Sequence, residues 1–390
     1  MDAAHTRNPT ISLEGKYLLT DEGVRYCSRN RIPLRDLPTL GGKIGTGFVW
    51  KQFNAPFVQK LIANRLLGSI DIDRPELLSK RPELIDTTKL LVYGILYKKF
   101  RPTLQSILLA TESIRHLVQK SPNRSPGTIR FPEERVQEFV AERDSALEEL
   151  KQRVLAAPLA RINSDDSLST EDKVERRRIA RKYLDTIDNH TWYLFHIIDR
   201  TASRNALIDQ IDEVLLRFVE KAKIADYLAF MLMELIQMVE TVHLETVASR
   251  HSRVRPRPGA ANRLATDPEI KNKLSRTAEA RGDLINLHFK FDTNPTNVQK
   301  RQRLLISVTT SGLVAWRSQE ELQEKKKTDV REIPLSVFYK QTGDDPEANL
   351  GLFYLSYLEE ACAAENARFD ANIFRDERRE QTITTILLDI

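Results

Sequence analysis

LINLHFKF (residues 284–291) and QRLLISVTT (residues 302–310) are the two stretches that decide the fold class of this chain. Their apolar side chains recur at nearly every second position, which is typical of β-strands with one buried face. The polar stretch DTNPTN between them contains Pro295 and predicts that the two strands form a hairpin. The sequence therefore predicts a sheet in the C-terminal part of the chain.

The residues around this hairpin predict an α/β sandwich over residues 224–390. A helix is predicted to begin within ANLGLFYLSYLEEACAAENARFD (residues 348–370), and QTITTILLDI (residues 381–390) is predicted to be the closing strand. The basic, proline-rich stretch HSRVRPRPGAANR (residues 251–263) predicts a loop.

Helical periodicity dominates the region before the sandwich. One helix is predicted to begin near Glu133, and a second beside a capping signature at residues 169–172. Two more helices are predicted over Ala206–Lys223 and Tyr227–Arg250. Residues 133–223 are thus expected to form a helical hairpin or bundle that serves dimerisation or docking.

The proline-rich stretch KSPNRSPGTIRFP (residues 120–132) predicts a linker after an N-terminal module, residues 1–122. This module is basic and is predicted to be mostly helical, with a short helix over Glu22–Asn30. Its glycine-rich stretch GGKIGTG (residues 41–47) lacks the spacing of a phosphate-binding loop and predicts a flexible turn. The sequence therefore predicts an α+β chain in three parts.

Composition excludes several classes of protein. Of the 390 residues, 41% are hydrophobic and 29% are charged, which is typical of a globular chain with a core. Only two cysteines, Cys27 and Cys362, are present, so a disulfide framework and a zinc ribbon are excluded. No apolar run approaches the roughly 20 residues of a membrane span, and no secretory signal is recognisable. We therefore expect a cytoplasmic protein without a membrane partner.

Charge is distributed unevenly along the chain. Residues 1–130 hold 21 Lys and Arg against 11 Asp and Glu, a balance of +10, whereas the whole chain carries +5. A basic N-terminal part is suited to bind nucleic acid, an acidic protein surface or the acidic remainder of the chain. The charge alone does not distinguish these partners.

A second basic feature is a candidate interaction patch within the second predicted helix. It consists of Arg176, Arg177, Arg178, Arg181 and Lys182. Acidic residues lie at helical spacing from these side chains, so a salt-bridged, solvated helix face is the alternative to a phosphate-binding surface.

Residues 205–390 resemble the ATP-binding domain of sensor histidine kinases, which belongs with the ATPases of gyrase and the Hsp90 chaperones. Glu234–Val239 (ELIQMV) is similar to the family's first helix motif, Glu-Leu-x-x-Asn-Ala. Ile306–Gly312 resembles the strand and turn that end in Asp-x-Gly, and Asn349–Leu352 resembles the later Gly-Leu-Gly-Leu. The strand Thr382–Leu388 stands where the family has its closing strand.

The resemblance implies a nucleotide pocket whose ligands are mostly missing. Met238 stands where the family has the asparagine that holds Mg²⁺, and a thioether is a poor ligand for this hard cation. Thr310 replaces the aspartate that accepts the adenine amino group, and Asn349 replaces one phosphate-loop glycine, leaving Gly351. Glu234 matches a glutamate that activates water in gyrase-like relatives. We therefore expect the scaffold without ATP hydrolysis.

These observations lead to three expectations for function. The first is a non-catalytic signalling or scaffold protein that uses the kinase-like domain to bind a protein partner, including a second copy of itself, without cofactor or metal. The second is nucleic-acid binding through residues 1–130 and the basic patch. The third is an atypical ATP-binding kinase or ATPase that depends on Glu234. Autokinase activity is not expected, because His190 is followed by Thr191 rather than by an acidic residue.

Overall fold

The chain folds as an α+β protein, which confirms the predicted class. The structure is a computed structural model, and it describes residues 10–11, 13–39, 44–50, 53–119, 132–142, 144–185, 187, 189–198, 204–251, 267–291, 302–313, 354–364 and 366–390.

Within the described residues, eight strands form one large sheet and two short strands form a second sheet. The strands are β1 (Thr10–Ile11), β2 (Gly15–Leu19), β3 (Arg35–Pro38), β4 (Ile44–Trp50), β5 (Phe53–Asn54), β6 (Leu67–Arg74), β7 (Ile285–Phe291), β8 (Arg303–Ser311), β9 (Arg368–Asp376) and β10 (Gln381–Asp389). The large sheet has the order β3–β4–β2–β6–β7–β8–β10–β9, and every neighbouring pair is antiparallel. The predicted hairpin (β7 and β8) and closing strand (β10) are confirmed.

Alternation gives the large sheet two different faces. On one face, the paired residues Ile70, Phe289 and Ile306 of β6, β7 and β8 are buried. On the other face, Asp71 of β6 and His288 of β7 face each other across the ladder. The apolar face contributes to the core, and the polar face carries a carboxylate and an imidazole, groups that can exchange protons.

The helices differ from the prediction mainly in number and length. They are α1 (Asp21–Arg29), α2 (Ala55–Ala63), a 3₁₀ turn (Leu78–Lys80), α3 (Arg81–Ala110), α4 (Glu112–Gln119), α5 (Glu133–Glu142), α6 (Asp144–Ser164), α7 (Thr170–Asp185), α8 (Asn189–Ile198), α9 (Arg204–His251), α10 (Pro268–Arg281) and α11 (Tyr354–Ala364). The predicted starts near Glu133 and at the capping signature are confirmed, and the Asp172 backbone N–H donates to Ser169 Oγ over 3.1 Å.

The two helices predicted over residues 206–223 and 227–250 are instead one continuous helix, α9. The intervening residues, Ile224, Ala225 and Asp226, include neither glycine nor proline, so nothing local ends the helix. The separation into two helices was wrong.

By contact, the chain divides into two compact units: Met1–Ile95 with Ile224–Ile390, and Leu96–Lys223. In the first unit, Leu244 and Val247 of α9 pack with Leu274 and Ala278 of α10 in a buried cluster. This apolar contact holds α10 against the C-terminal half of α9.

The second unit is helical and has an aromatic centre. The ring of Phe218 stacks on Tyr97 with 5.0 Å between centroids, and it lies 4.6 Å from the Tyr183 ring. Burial raises the pKa of both tyrosine hydroxyls. The role of residues 133–223 in dimerisation or docking stays a prediction.

The N-terminal module contains the helices α1 to α4, and its residues 10–74 also contribute the strands β1 to β6. The predicted helix over Glu22–Asn30 is confirmed as α1. Residues 44–47 of the glycine-rich stretch belong to β4 rather than to a turn, and residues 41–43 lie outside the described residues. Gly47 is required there, since a Cβ at this position would lie 1.9 Å from the Tyr17 carbonyl oxygen on β2. Pairing of β6 with β7 then joins these strands to the C-terminal ones in a single sheet.

Of the stretch 348–370, in which a helix was predicted to begin, Tyr354–Ala364 form the helix α11. Arg368–Asp370 belong instead to the strand β9, which was not predicted. These residues alternate in exposure, as in a strand with one buried face.

Candidate functional site

The residues that resemble nucleotide-binding positions lie on α9 and at the end of β8. Glu234 and Met238 are four residues apart on α9, and the same helical face continues to Val242 and Thr246. Thr246 is the residue that Gly312, just after β8, approaches. The structure therefore places two of the predicted nucleotide-pocket residues, Glu234 and Met238, on one face of α9.

Glu234 has a partner within the protein. Its Oε1 lies 3.6 Å from Nη2 of Arg81, the first residue of α3, and the glutamate side chain is 18% exposed. This carboxylate is therefore already engaged by a cationic side chain of the first unit. Met238, one turn further on, is half-buried.

Gly312 packs directly against α9. Its φ is +98°, a conformation that glycine adopts readily, and a Cβ here would lie 2.1 Å from Thr246 Oγ1 and 3.2 Å from Val242 Cγ1. The Gly312 N–H donates to the Glu380 carbonyl over 2.7 Å, and Thr382 Oγ1 donates to the Gly312 carbonyl over 2.8 Å. Gly312 is thus held between α9 on one side and the residues Glu380 and Thr382 at the start of β10 on the other.

Thr310 is buried, and its Oγ1 donates to the Ser311 carbonyl over 3.3 Å. A short hydroxyl in this position offers no anionic acceptor for an adenine amino group. Asn349 and Gly351 lie outside the described residues.

Two of the cavities lined by described residues include none of Glu234, Met238, Thr310 and Gly312. One is an open groove of about 520 Å³ along α10, with Lys273 among its lining residues. The other, in the second unit, is apolar and measures about 10 Å³. The smaller cavity has room for no more than a single water molecule.

The basic patch on α7 is largely engaged within its own unit. Arg176 Nη1 lies 2.5 Å from Glu220 Oε1, and Arg178 pairs with Glu175 on the same helix. Arg177 Nη1 donates to Asn163 Oδ1 over 3.4 Å. These contacts favour the salt-bridged helix face.

Nucleic-acid binding through the patch stays a prediction. A mobility-shift titration at two salt concentrations tests it, because phosphate contacts lose affinity steeply with added salt.

A polar row on the second face of the sheet was missed by the sequence analysis. Asp71 on β6 pairs with His288 on β7, and His288 pairs with Ser307 on β8. The His288 Nδ1 hydrogen-bonds the Asp71 carboxylate, which is only 2% exposed, while the imidazole is 18% exposed. The row therefore has the order carboxylate, imidazole, hydroxyl.

A second polar group adjoins this row. Asp73, two residues after Asp71 on β6, accepts from Lys16 Nζ over 2.8 Å and from the Asn286 amide. The alternating polar positions of Leu67–Arg74 and Ile285–Phe291 are visible in the sequence, but their pairing is not. Only the register of β6 against β7 brings them together.

A buried carboxylate joins three helices of the first unit. The backbone N–H groups of Leu77 and Leu78 donate to Glu240 Oε2 over 2.6 and 2.9 Å, and Lys271 Nζ lies 2.7 Å from Glu240 Oε1. Glu240 thus provides a negative charge where the backbone enters α3 and has its counterion on α10. This arrangement is structural.

His243 is also fully buried on α9. Its Nδ1 lies 3.3 Å from Ser311 Oγ. Burial lowers the pKa of His243 to about 4, and the nearby Asp283 carboxylate acts in the opposite direction. The imidazole is therefore neutral at physiological pH.

The described part of the chain offers neither a metal-binding cluster nor a membrane-spanning helix. It contains no group of three or more His, Cys, Asp or Glu placed to hold a metal ion. It also contains no helix long and apolar enough to cross a bilayer.

One sequence family covers both compact units. A family of unknown function, DUF8084, matches residues 6–390. The chain belongs to DUF8084. An uncharacterized protein of Treponema pallidum (strain Nichols) is 24% identical over 387 residues, which are 98% of each chain. No solved structure matches the chain significantly.

Proposed function

We propose that this member of DUF8084 is a non-catalytic signalling or scaffold protein whose C-terminal region uses a histidine-kinase-like arrangement to bind a protein partner. The observation that supports the proposal is the direct contact of Gly312 with Thr246. A nucleotide seated between the strand-end turn and the helix would have to separate these two groups. Separating packed elements costs the contacts that hold the core together.

The side chains at the matching positions support the same proposal. Met238 offers a soft thioether to a hard cation, and Thr310 offers a neutral hydroxyl to the base. Glu234 already pairs with Arg81. Met238 and Thr310 thus supply no anionic oxygen, and the one carboxylate of the set, Glu234, is engaged by a guanidinium.

Calorimetric titration of the full chain with Mg-ATP tests this proposal. We expect no saturable heat up to about 1 mM nucleotide and no rise in the thermal midpoint, because only a ligand that binds the native state stabilises it. Binding at micromolar concentration would refute the proposal. If that binding were lost in Glu234→Gln, the atypical ATP-binding kinase or ATPase would become the favoured function.

The polar row favours a second candidate, acyl transfer from an ester to water at Ser307. Side chains directly opposite each other in an antiparallel pair have Cβ atoms about 5 Å apart, so His288 lies between a buried carboxylate and a hydroxyl. With Nδ1 held by Asp71, the imidazole Nε2 is the proton acceptor. Ser307 Oγ would attack the ester carbonyl, its proton would pass to Nε2 and then to the departing alcohol, and water would hydrolyse the acyl-serine.

Labelling with a fluorophosphonate probe tests the second candidate. Covalent labelling is expected at Ser307, with loss in Ser307→Ala and in His288→Gln and no loss in Thr309→Ala, which alters a hydroxyl two residues along the same strand face. Equal labelling of all four proteins, or none, would remove this candidate without affecting the first.

A further inference from the structure

Four helices in the described part of the first unit share one kind of C-terminal cap. In each, the backbone N–H of a residue with a positive φ, and the N–H of the residue after it, donate to carbonyls of the last helical turn. Glycine is the usual residue at this left-handed position, and asparagine is the next most suitable. The left-handed residues are Arg31 after α1, Arg65 after α2, Gly282 after α10 and Asn366 after α11.

Two of these positions break the usual preference. Gly282 and Asn366 have the residue types that the conformation favours, whereas Arg31 and Arg65 have φ of +55° and +59°. A Cβ is unfavourable in the left-handed region, so glycine would adopt either conformation more readily than arginine does. Residues held in such conformations cluster at active sites and ligand clamps. The two arginines therefore call for a function of their side chains.

The two arginines lie at opposite ends of one pair of helices. Thr20, the N-cap of α1, donates from Oγ1 to the Arg65 carbonyl over 2.9 Å. Further along the pair, the Lys60 ammonium of α2 lies 5.7 Å from the centroid of the Tyr26 ring of α1. The two helices are therefore antiparallel neighbours. At 1.5 Å per residue, their length places Arg31 and Arg65 about 15 Å apart along the axes.

The surface of this helix pair is basic. Residues 21–31 and 55–65 hold five Arg and Lys against two Asp and Glu. Both acidic residues lie in the first turn of α1, where Glu22 pairs with Arg25 over 3.1 Å. The other four cations of the pair form what we call the helix-pair face: Arg29, Arg31, Lys60 and Arg65.

The guanidinium groups of the helix-pair face have no anionic partner in the described part of the chain. Arg29, Arg31 and Arg65 make no side-chain hydrogen bond or ion pair there, and the first two are exposed to solvent. The basic patch on α7 differs, because Arg176 and Arg178 are paired with glutamates. A cluster of cations without anions from its own chain is complementary to an anionic partner.

We propose that the helix-pair face binds the phosphate backbone of a nucleic-acid duplex. The major groove of B-DNA is about 12 Å wide, so arginines about 15 Å apart can contact phosphates on both sides of it. The Lys60 ammonium lies over the Tyr26 ring, on a face that a base of a single strand would need for stacking. This inference goes beyond the proposed scaffold function and does not depend on it.

Fluorescence anisotropy of the full chain with labelled DNA and RNA duplexes of about 20 base pairs tests the binding. Four cations neutralise at most four phosphates, so the logarithm of the association constant should fall with the logarithm of the salt concentration with a slope of about −3 to −4. The matching single strands should bind more weakly. Absence of binding to both duplexes at about 50 mM salt would overturn the proposal.

Competition with poly-glutamate separates nucleic acid from an acidic protein surface. At equal charge concentration, unlabelled duplex should displace the labelled duplex and poly-glutamate should not. Equal displacement by both would assign the helix-pair face to an acidic protein partner and would refute the duplex.

The decisive variant combines Arg31→Gly with Arg65→Gly. It should weaken duplex binding at least about tenfold at about 50 mM salt and make the salt slope shallower by about 2, because two phosphate contacts are lost. The midpoint of urea unfolding should rise, because glycine suits the left-handed positions. A structural role of the arginines would instead lower the urea midpoint.

The matched control is Asn366→Gly, which changes the same position of the same cap after α11 and removes no charge. It should leave the duplex affinity and the salt slope unchanged. Three results would overturn the proposal: unchanged affinity in the double glycine variant, a loss of affinity together with a lower urea midpoint, or an equal loss in Asn366→Gly.

Discussion

Acidification is expected to lower the free energy of unfolding through His243. This contribution is separate from that of the Asp and Glu side chains. The imidazole is fully buried on α9 beside Ser311. Burial lowers its pKa from 6.5 to about 4. In the unfolded chain the same ring is solvated and regains its ordinary pKa.

The sign and size follow from proton linkage. Between pH 6.5 and pH 4 the unfolded chain binds the proton and the folded chain does not, so the free energy of unfolding falls as the pH falls. From pH 7 to pH 5 the loss through His243 is about 2 kcal/mol, and below pH 4 it approaches about 3 kcal/mol. Above pH 7 this contribution is constant.

The assay is urea unfolding of wild type and His243→Gln, followed by circular dichroism at pH 7, 6 and 5. Glutamine keeps polar atoms at the site but does not titrate, so the effects of all other groups cancel in the comparison. We expect the wild type to lose about 2 kcal/mol more than the variant between pH 7 and pH 5.

Two results would refute this reasoning. One is an identical pH dependence of the two proteins, which would mean that His243 has the same pKa folded and unfolded. The other comes from the wild type alone: an NMR titration in which the His243 ring of the folded protein gains its proton near pH 6.5.

Two further predictions concern the first compact unit. Glu240→Ala removes the buried acceptor at the start of α3 and should lower the free energy of unfolding by about 3 kcal/mol, whereas Glu22→Ala, in an exposed pair, should leave the urea midpoint unchanged. Equal effects of these two substitutions would contradict the role of Glu240. Gly312→Ala should lower the free energy of unfolding by about 2 kcal/mol or more, because this position combines a positive φ with a clash against Thr246. Gly282 also has a positive φ, but a Cβ there would have nothing within 4 Å, so Gly282→Ala should lower it by about 1 kcal/mol. The urea midpoints of both alanine variants measure this difference, and a milder effect at Gly312 than at Gly282 would show that the turn does not pack tightly on α9.

Some of the fold could be predicted because its signals are local. The alternation in β7, β8 and β10 and the cap at Ser169 depend only on neighbouring residues, and the structure contains these elements. The helix α10 also has complete local signals, since Asp267 caps it, Pro268 begins it and Gly282 ends it, although it was not among the predicted helices.

Other parts could not be predicted from neighbouring residues. The first residues of β9, Arg368–Asp370, fell at the end of a stretch predicted to begin a helix, and what makes β9 a strand is its pairing with β10. The candidate site was incomplete for the same reason. Glu234 and Gly312 were singled out by resemblance, but their partners Arg81 and Thr246 come from contacts between elements.

By itself, the sequence determined the fold class, the positions of elements such as α1, β7, β8 and β10, and the lack of an anionic oxygen on Met238 and Thr310, because periodicity and side-chain chemistry belong to each residue and its neighbours. The tertiary structure alone decided which strands lie side by side. Asp71 and His288 are 217 positions apart, and they share a hydrogen bond only because β6 and β7 pair in one register. A shift of that register by one residue would move every side chain to the opposite face, so the polar row is a property of the assembled sheet.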